Sequence, residues 1–220
     1  PDLNTMDIYK ADRLESLKDF AESTSQLGVV ERNPPFDAEI FFKNLMTRPF
    51  EIVGKIRKEY ALLDIKDLMK NIISDNLKAD ALYKNWISDM AEVCKIFCDL
   101  EKIDAVSFWL GTKRGCRRYH IDNVPKRLLV TYAGKGTEWI PNDAVDRIAF
   151  KSGKPNDKII KDRSALRHIG QWDVAVFRGM PHGILHRTPD DALNGQSILM
   201  RLDHPSFLKN INNEEVGVNN

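Results

Sequence analysis

The sequence predicts an α+β fold in which an N-terminal helical layer packs on a C-terminal, strand-rich core of the sandwich, barrel or jelly-roll type. Residues 1–105 carry 15 basic and 20 acidic side chains, a net charge of −5, whereas residues 106–220 carry 18 and 12, a net charge of +6. Ten of the twelve glycines and all five histidines lie after residue 105. Helical periodicity prevails before this position, and short β-forming runs prevail after it.

The composition therefore divides the chain near residue 105. We expect residues 1–105 to form the helical region, residues 106–205 the β-rich core, and residues 206–220 a polar tail. No stretch approaches the ~18 apolar residues of a membrane span, and the first residues do not have the pattern of a signal peptide. Three cysteines are too few for a disulfide framework. We therefore expect a cytoplasmic protein with no membrane partner.

Three helices are predicted in the first half. Asp37 follows a loop that contains two consecutive prolines and is a plausible cap for a helix over residues 38–46. Residues 52–73 repeat apolar side chains at loosely helical spacing. Between residues 79 and 97 the apolar positions recur at steps of three, one and four, which is typical of one helix face.

The second half is predicted to contain short strands separated by Gly, Pro, Asn or Asp. A short helix is predicted over residues 142–150. The predicted strands cover residues 105–110, 117–121, 127–132, 137–140, 173–177, 183–187 and 197–202. Many short strands with turn residues between them favour a sandwich, barrel or jelly roll over alternating β-α units.

A His-x-Asp motif in this half indicates metal chemistry. His120 and Asp122 lie two residues apart, so on a strand they project from one face. An imidazole and a carboxylate side by side make two thirds of a facial 2-His-1-carboxylate triad, which leaves positions on Fe(II) open for a co-substrate and dioxygen. The third ligand must come from a distant strand, and His186 is the best candidate.

Two other interpretations stay open. Cys116 lies four residues before His120 and could join it and His186 in a tetrahedral zinc site, for a hydrolytic or metal-handling role. Alternatively the histidines are structural, and the domain is a non-catalytic binding module. Dinucleotide, nucleotide triphosphate and α/β-hydrolase chemistry are disfavoured because their glycine-rich and nucleophile motifs are absent from the sequence.

Four segments of the second half resemble known families: CRRYHIDNVPKRLLVTYAGKGTEWIP, WDVAVFRG, GILHRTP and ILMRLD. They resemble a bacterial family catalogued as a domain of unknown function, DUF1826, over about residues 90–205. Their order is also similar to the double-stranded β-helix of Fe(II)/2-oxoglutarate-dependent dioxygenases, in which His-x-Asp opens the core and a distal His closes it. This resemblance implies that His120, Asp122 and His186 are catalytic metal ligands, with Fe(II) and 2-oxoglutarate as cofactors.

The cation that would bind the far carboxylate of 2-oxoglutarate departs from the dioxygenase pattern. That superfamily usually has Arg or Lys about ten residues after the distal His, where this chain has Gln196 and Ser197. Arg201, fifteen residues after His186, is our first candidate because a guanidinium binds a carboxylate in a bidentate manner. Lys126 or Arg127 could take this role instead.

The residue pattern of the last predicted strand determines whether Arg201 can bind the far carboxylate of 2-oxoglutarate. Arg201 alternates with three apolar residues: Ile198, Met200 and Leu202. If this apolar set packs against the helices, Arg201 faces the interior between the strands. If the set lines that interior, Arg201 lies outside.

Other side chains suggest the nature of the ligands. Tyr119 and Tyr132 could hydrogen-bond a co-substrate. Basic residues crowd around the His-x-Asp motif, where they either steer an anionic substrate or co-substrate to the pocket or form a solvated face of the strand and loop. They comprise Lys113, Arg114, Arg117, Arg118, Lys126 and Arg127. Nucleic acid is possible but not favoured, since the pI is near 8.1 and nucleic-acid motifs are lacking. The oligomeric state is left open.

Overall fold

The computed structural model describes residues 8–207, which form two β-sheets and a set of helices. The strands are β1 (Ile8–Lys10), β2 (Leu27–Val30), β3 (Glu51–Arg57), β4 (Ala105–Gly111), β5 (Lys126–Ala133), β6 (Glu138–Ile140), β7 (Arg167–His168), β8 (Val174–Arg178), β9 (Leu185–Arg187) and β10 (Ile198–Asp203). The α-helices are α1 (Ala38–Leu45), α2 (Ala61–Met69), α3 (Asp75–Lys78), α4 (Ala81–Glu101), α5 (Arg147–Lys151), α6 (Asn156–Ile159) and α7 (Asp190–Asn194). Short 3-10 helices cover Leu14–Glu22, Asn142–Ala144, Arg163–Ala165 and Pro205–Phe207.

The larger sheet has seven strands in the order β1-β2-β8-β5-β10-β4-β3. β1 and β2 pair in parallel, and the other neighbours pair antiparallel, so the sheet is mixed. The smaller sheet has the order β7-β6-β9 and is antiparallel. The chain is thus a mixed α and β protein, in agreement with the predicted class.

One face of the larger sheet packs against the helices. Alternate residues of β5 and β10 lie in the largest apolar cluster, together with the buried side chains of α1, α2 and α4. Phe42 of α1 and Trp86 of α4 meet edge to face in this cluster, with ring centroids 5.1 Å apart. Helix α4 begins where the Asp80 side chain accepts a hydrogen bond from the Leu82 amide, and it ends at Lys102, which has a left-handed conformation.

The other face of the larger sheet is covered by the smaller sheet. Leu129 of β5 and Phe177 of β8 form a second apolar cluster with Trp139 of β6 and with Ile184, which precedes β9. Side chains of a strand alternate between its two faces, so each strand of the larger sheet can serve both clusters. The space between the two sheets contains the site described below.

The first half of the chain is not purely helical, and that prediction is wrong. β1, β2 and β3 all belong to the larger sheet, and the predicted helix over residues 52–73 is divided into β3 and α2. In β3 the buried residues Ile52 and Ile56 are four apart, a spacing that fits one face of a strand as well as one face of a helix.

The predicted strands of the second half agree with β4, β5, β6, β8, β9 and β10, with shifts of up to two residues at their ends. The predicted strand over residues 117–121 is wrong, since this segment contains only an isolated bridge between His120 and His186. The predicted helix over residues 142–150 is divided into a 3-10 helix and α5. Asp37 precedes α1 as predicted, but its side chain makes no capping hydrogen bond.

The predicted boundary near residue 105 coincides with the start of β4. The sheet nevertheless crosses it, because β3 pairs with β4 along its whole length. Most of the predicted tail, from residue 208 onward, lies outside the described residues. Between residues 8 and 207, no helix combines the length and the apolar character needed to cross a membrane.

Candidate metal centre

Three side chains meet between the two sheets. His120, Asp122 and His186 each offer a ligand atom, and these atoms all lie within 4.8 Å of one another. The main chains of the two histidines hold this arrangement, since each amide donates to the other's carbonyl at 3.1 Å. His186 lies on β9, whereas His120 precedes β5, so this isolated bridge joins two distant parts of the chain.

Both imidazole rings are oriented so that Nε2 points to the carboxylate. The Nδ1 atom of His120 lies 3.0 Å from the carbonyl oxygen of Arg118, and that of His186 lies 3.1 Å from the carbonyl oxygen of Ile184. A carbonyl oxygen only accepts hydrogen bonds, so Nδ1 carries a proton and Nε2 is the atom that can bind a metal. The Nε2 atoms lie 3.7 Å (His120) and 3.2 Å (His186) from Asp122.

Packing fixes the two rings further. The His120 and His186 rings have centroids 4.5 Å apart, and the Phe177 ring of β8 lies 4.4 Å from that of His186. Phe177 belongs to the apolar cluster between the sheets. The larger sheet therefore supports the imidazole that the smaller sheet carries.

Asp122 is the buried centre of the cluster. Its side chain is only 2% exposed, and Arg127 donates to its Oδ1. Burial alone raises the pKa of Asp122, but its interactions with His120 and His186 and the charge of Arg127 lower it well below its usual range. The carboxylate is therefore ionised at neutral pH.

Cys116 lies beside His120. Burial lowers the pKa of His120, but interactions of its ring with Asp122 and with the Cys116 side chain outweigh burial and raise the pKa to about 10. Cys116 is reduced and exposed, and it lines the same cavity as the three ligand candidates. The candidate zinc ligand is thus adjacent to the histidine.

The donor set fits a divalent transition metal. Two imidazole nitrogens and one ionised carboxylate converge, and the buried Oδ2 atom of Asp122 has no hydrogen bond of acceptable geometry within the described residues. Such a set of two histidines and one carboxylate suits Fe(II) with open positions. Carbonyl oxygens hold the outer nitrogens of both rings, which is the usual way in which metal-binding histidines are oriented.

A cavity of about 300 Å³ opens over the three side chains, and Arg201 lies in its wall. Ile198, Met200 and Leu202 pack in the cluster on the helical face. The first of the two predicted alternatives for β10 is therefore the observed one, and Arg201 faces the space between the sheets. Its guanidinium lies 5.6 Å from the Trp109 ring centroid and 3.5 Å from Asp203.

Arg127 also lines this cavity, but carboxylates already engage it. In addition to Asp122, its Nε donates to Asp203 at 2.8 Å. Asp203 is 2% exposed, so Arg127 bridges two buried carboxylates. Its position favours a role in holding Asp122 over the predicted role of binding a co-substrate.

Lys126 and Tyr132 are placed on the wrong side of β5 for the predicted contact with a co-substrate. Lys126 pairs with Glu101 of α4 at 2.7 Å, and the Tyr132 hydroxyl donates to Asp89 of α4 at 2.8 Å. The physical reason is strand alternation: even-numbered residues of β5 face the helices, whereas Arg127 and Leu129 face the cavity.

Tyr119 is also absent from the cavity wall among the described residues. It is fully buried in a third apolar cluster, where its hydroxyl donates to Glu138. Burial and the hydrogen bond with Glu138 raise the pKa of Tyr119 beyond its usual range. Its predicted contact with a co-substrate does not agree with this position.

Sequence reasoning missed one wall of the cavity. Trp109 of β4 donates to Glu51 of β3 at 2.5 Å, and both side chains line the cavity. The alternation within β4 could have placed Trp109 opposite its buried neighbours Phe108 and Leu110. Glu51 had no such signal, because its segment has the spacing of a helix.

The chain belongs to the family described as "Protein of unknown function (DUF1826)", whose profile matches residues 11–203. No protein with a curated function matches the chain. Among solved structures, it is similar to AviO1 from Streptomyces viridochromogenes Tue57, with 14% identity, a TM-score of 0.38, and coverage of 89% of this chain and 97% of that chain.

A second similar structure is that of a full-length Neurospora crassa protein, solved in complex with alpha-KG. The identity is 10% and the TM-score 0.36, with coverage of 90% of this chain and 84% of that chain. Both TM-scores are below 0.5, so we infer the function from the residues of this chain.

Proposed function

We propose that this protein is a mononuclear metal-dependent oxygenase of the Fe(II)/2-oxoglutarate type, with His120, Asp122 and His186 as its catalytic metal ligands. The convergence of their ligand atoms within 4.8 Å carries the proposal. We further propose that the two facing sheets form a double-stranded β-helix, or jelly roll. The order of the larger sheet and the position of the cavity between the sheets support this assignment.

The protein's own groups prepare this site before a metal arrives. The carbonyl oxygens of Arg118 and Ile184 hold the Nδ1 protons, so that each Nε2 is directed inward. His120, His186 and Arg127 together keep Asp122 ionised, and the hydrogen bond from Arg127 fixes its orientation. Bound Fe(II) would supply the redox chemistry that activates dioxygen, and the remaining coordination positions would face the cavity.

Arg201 is the residue that we assign to the far carboxylate of 2-oxoglutarate. It faces the cavity from β10, between Trp109 on β4 and Leu129 on β5. A carboxylate enclosed without a counter-charge costs several kcal/mol, and a guanidinium can bind it through two hydrogen bonds. The proposed substrate is a small or anionic molecule, and the cytoplasmic location remains a prediction.

Three measurements on the purified 220-residue chain test this function. We expect anaerobic protein to bind one Fe(II), to bind 2-oxoglutarate in its presence, and to convert 2-oxoglutarate to succinate when air is admitted. H186A should lose Fe(II) binding. R201Q should keep Fe(II) and bind 2-oxoglutarate at least about tenfold more weakly, since a hydrogen bond to a charged group is worth ~1.5–3 kcal/mol.

K126Q is the matched control for R201Q. Lys126 is a cation of the neighbouring strand that faces the helices, so its replacement should leave 2-oxoglutarate affinity unchanged. Wild-type protein that binds Fe(II) but shows no affinity for 2-oxoglutarate would exclude this co-substrate. Equal affinities of R201Q and wild type would exclude Arg201 from the binding site.

A zinc site is the second candidate, and the position of Cys116 favours it. Its thiol interacts with the His120 ring at the cavity wall, and a thiolate is a preferred zinc ligand. Competition between Zn²⁺ and Fe(II) in wild type and C116S distinguishes the two functions. A large loss of zinc affinity in C116S, with no 2-oxoglutarate turnover in wild type, would favour the zinc protein.

A further inference from the structure

Arg114 lies in a loop that forms part of the cavity wall. The loop follows β4 and leads to His120, and the Thr188 amide anchors it by donating to the Cys116 carbonyl at 3.1 Å. On the other side, Nη1 of Arg114 donates to the carbonyl oxygen of Lys135 at 2.9 Å. The Arg114 side chain is thereby held at the cavity that contains the three ligand candidates.

The charge of Arg114 has no carboxylate partner in the described part of the chain. Its Nε is buried without a hydrogen-bond partner, and burial lowers its pKa to about 10. Two other arginines of the same cavity differ, because Arg127 pairs with Asp203 and Arg187 pairs with Glu138. A desolvated cation without a counter-charge costs free energy, which an anion in the cavity would offset.

We infer that Arg114 forms an oxyanion-binding subsite of the metal cavity, which takes a carboxylate or phosphate group of a small substrate. The assignment to the substrate rests on the proposed function, whereas the anion site itself is present without a metal. Arg201, on β10, provides a separate cation for the co-substrate. Arg114 in the loop would therefore bind the anionic substrate, and Arg201 on β10 would bind the anionic co-substrate.

The size of the cavity favours a small molecule. Its volume of about 300 Å³ is at the lower end of the ~300–1,000 Å³ of ligand pockets. A guanidinium forms paired hydrogen bonds with planar carboxylates and with tetrahedral phosphates, so both sources share one chemistry. Inorganic phosphate and acetate are suitable probes that separate them.

The test is titration of the metal-free 220-residue chain with each probe by calorimetry. We expect R114Q to bind the preferred probe at least about tenfold more weakly than wild type, because a charge-assisted hydrogen bond contributes ~1.5–3 kcal/mol. R114K should recover part of the affinity, since it restores the charge without the planar fork. R117Q is the control: Arg117 is an exposed cation of the same loop that does not line this cavity.

Thermal unfolding separates anion binding from a structural role. We expect phosphate or acetate to raise the Tm of wild type and not that of R114Q, whose Tm without anion should equal or exceed that of wild type. Equal probe affinities in wild type and R114Q would overturn the inference, as would loss of binding in R201Q alone. Failure of the metal-free protein to bind either probe would overturn it as well.

The outcome is independent of the proposed enzyme activity. If wild type binds phosphate but no Fe(II), and R114Q does not bind phosphate, the anion site is supported and the oxygenase proposal is refuted. If wild type turns over 2-oxoglutarate, and wild type and R114Q bind the probes equally, the oxygenase proposal is supported and the anion site is refuted.

Discussion

Arg127 bridges Asp122 and Asp203, and both carboxylates are only 2% exposed. In R127M they would remain enclosed without this cation, while methionine preserves much of the side-chain volume. Removing one partner of a buried ion pair costs ~3–5 kcal/mol. For a chain of this size ~1 kcal/mol corresponds to about 2–4 °C in Tm. We therefore expect the metal-free variant to unfold about 6–20 °C below wild type at pH 7.5.

Circular dichroism during heating measures this difference, and K58M provides the comparison. Lys58 pairs with Asp99 at the surface, where the two side chains are 38% and 41% exposed, and such a pair contributes ~0–1 kcal/mol. A divalent metal should restore part of the R127M loss by neutralising Asp122. A loss no larger than that of K58M, with or without metal, would refute the reasoning.

Lowering the pH should reduce the difference in Tm between R127M and wild type. The folded-state pKa of Asp122 is lowered, so its ionised form stabilises wild type above the unfolded-state pKa of ~3.9. This stabilisation is lost as the pH falls toward the lowered folded-state pKa. A difference that stays constant as the pH is lowered from ~5 to ~2, the range in which this loss occurs, would contradict this assignment of the lost stability to carboxylate charge.

Three further predictions concern the surroundings of the site. Because the pKa of His120 is raised to about 10, a metal ion must displace the proton of this ring. The apparent metal affinity, measured by calorimetry, should therefore rise about tenfold per pH unit from pH 6 to 8. An affinity that does not change with pH would contradict this. Y132F removes the hydrogen bond to Asp89, so its free energy of unfolding in urea should be ~1.5–3 kcal/mol lower than that of wild type. Its metal affinity should be unchanged, because residue 132 faces the helices. In G179A the added Cβ would lie 1.5 Å from the Val124 carbonyl oxygen, so the adjacent loop, which carries Asp122, must shift and metal affinity should fall at least about tenfold. Equal affinity would show that the loop tolerates the shift.

The sequence is sufficient to predict the strands that are bounded by turn residues, but it is not sufficient to predict the strands of the first half. β5 and β10 are short runs of β-forming residues bounded by turn residues, and the prediction matches them almost to their ends. β2 is four consecutive buried residues, Leu27–Val30, and a short apolar run does not reveal its period. In β3 the spacing of Ile52 and Ile56 satisfies both periodicities. Pairing with β4, which only the folded chain provides, selects the strand.

The site shows the same limit in a different form. The types and order of His120, Asp122 and His186 indicate a common centre, but the predicted strand at His120 is absent and one mutual bridge with His186 replaces it. Local periodicity cannot predict such a bridge, because its two partners come from distant parts of the chain. Arg127 looks like a co-substrate ligand in the sequence because nothing there indicates its pairing with Asp203.

Strand alternation separates two kinds of chemistry on the larger sheet. On the helical face, Leu128 and Val130 join the main apolar core, which contributes stability through buried area. On the opposite face, Arg127 and Leu129 of the same strand border the cavity of the candidate metal centre. A shift of register by one residue would exchange these sets, placing Arg127 in the apolar core and removing it from Asp122. The helices of the first half, by burying one face completely, therefore help to fix which residues of β5 reach the candidate metal centre.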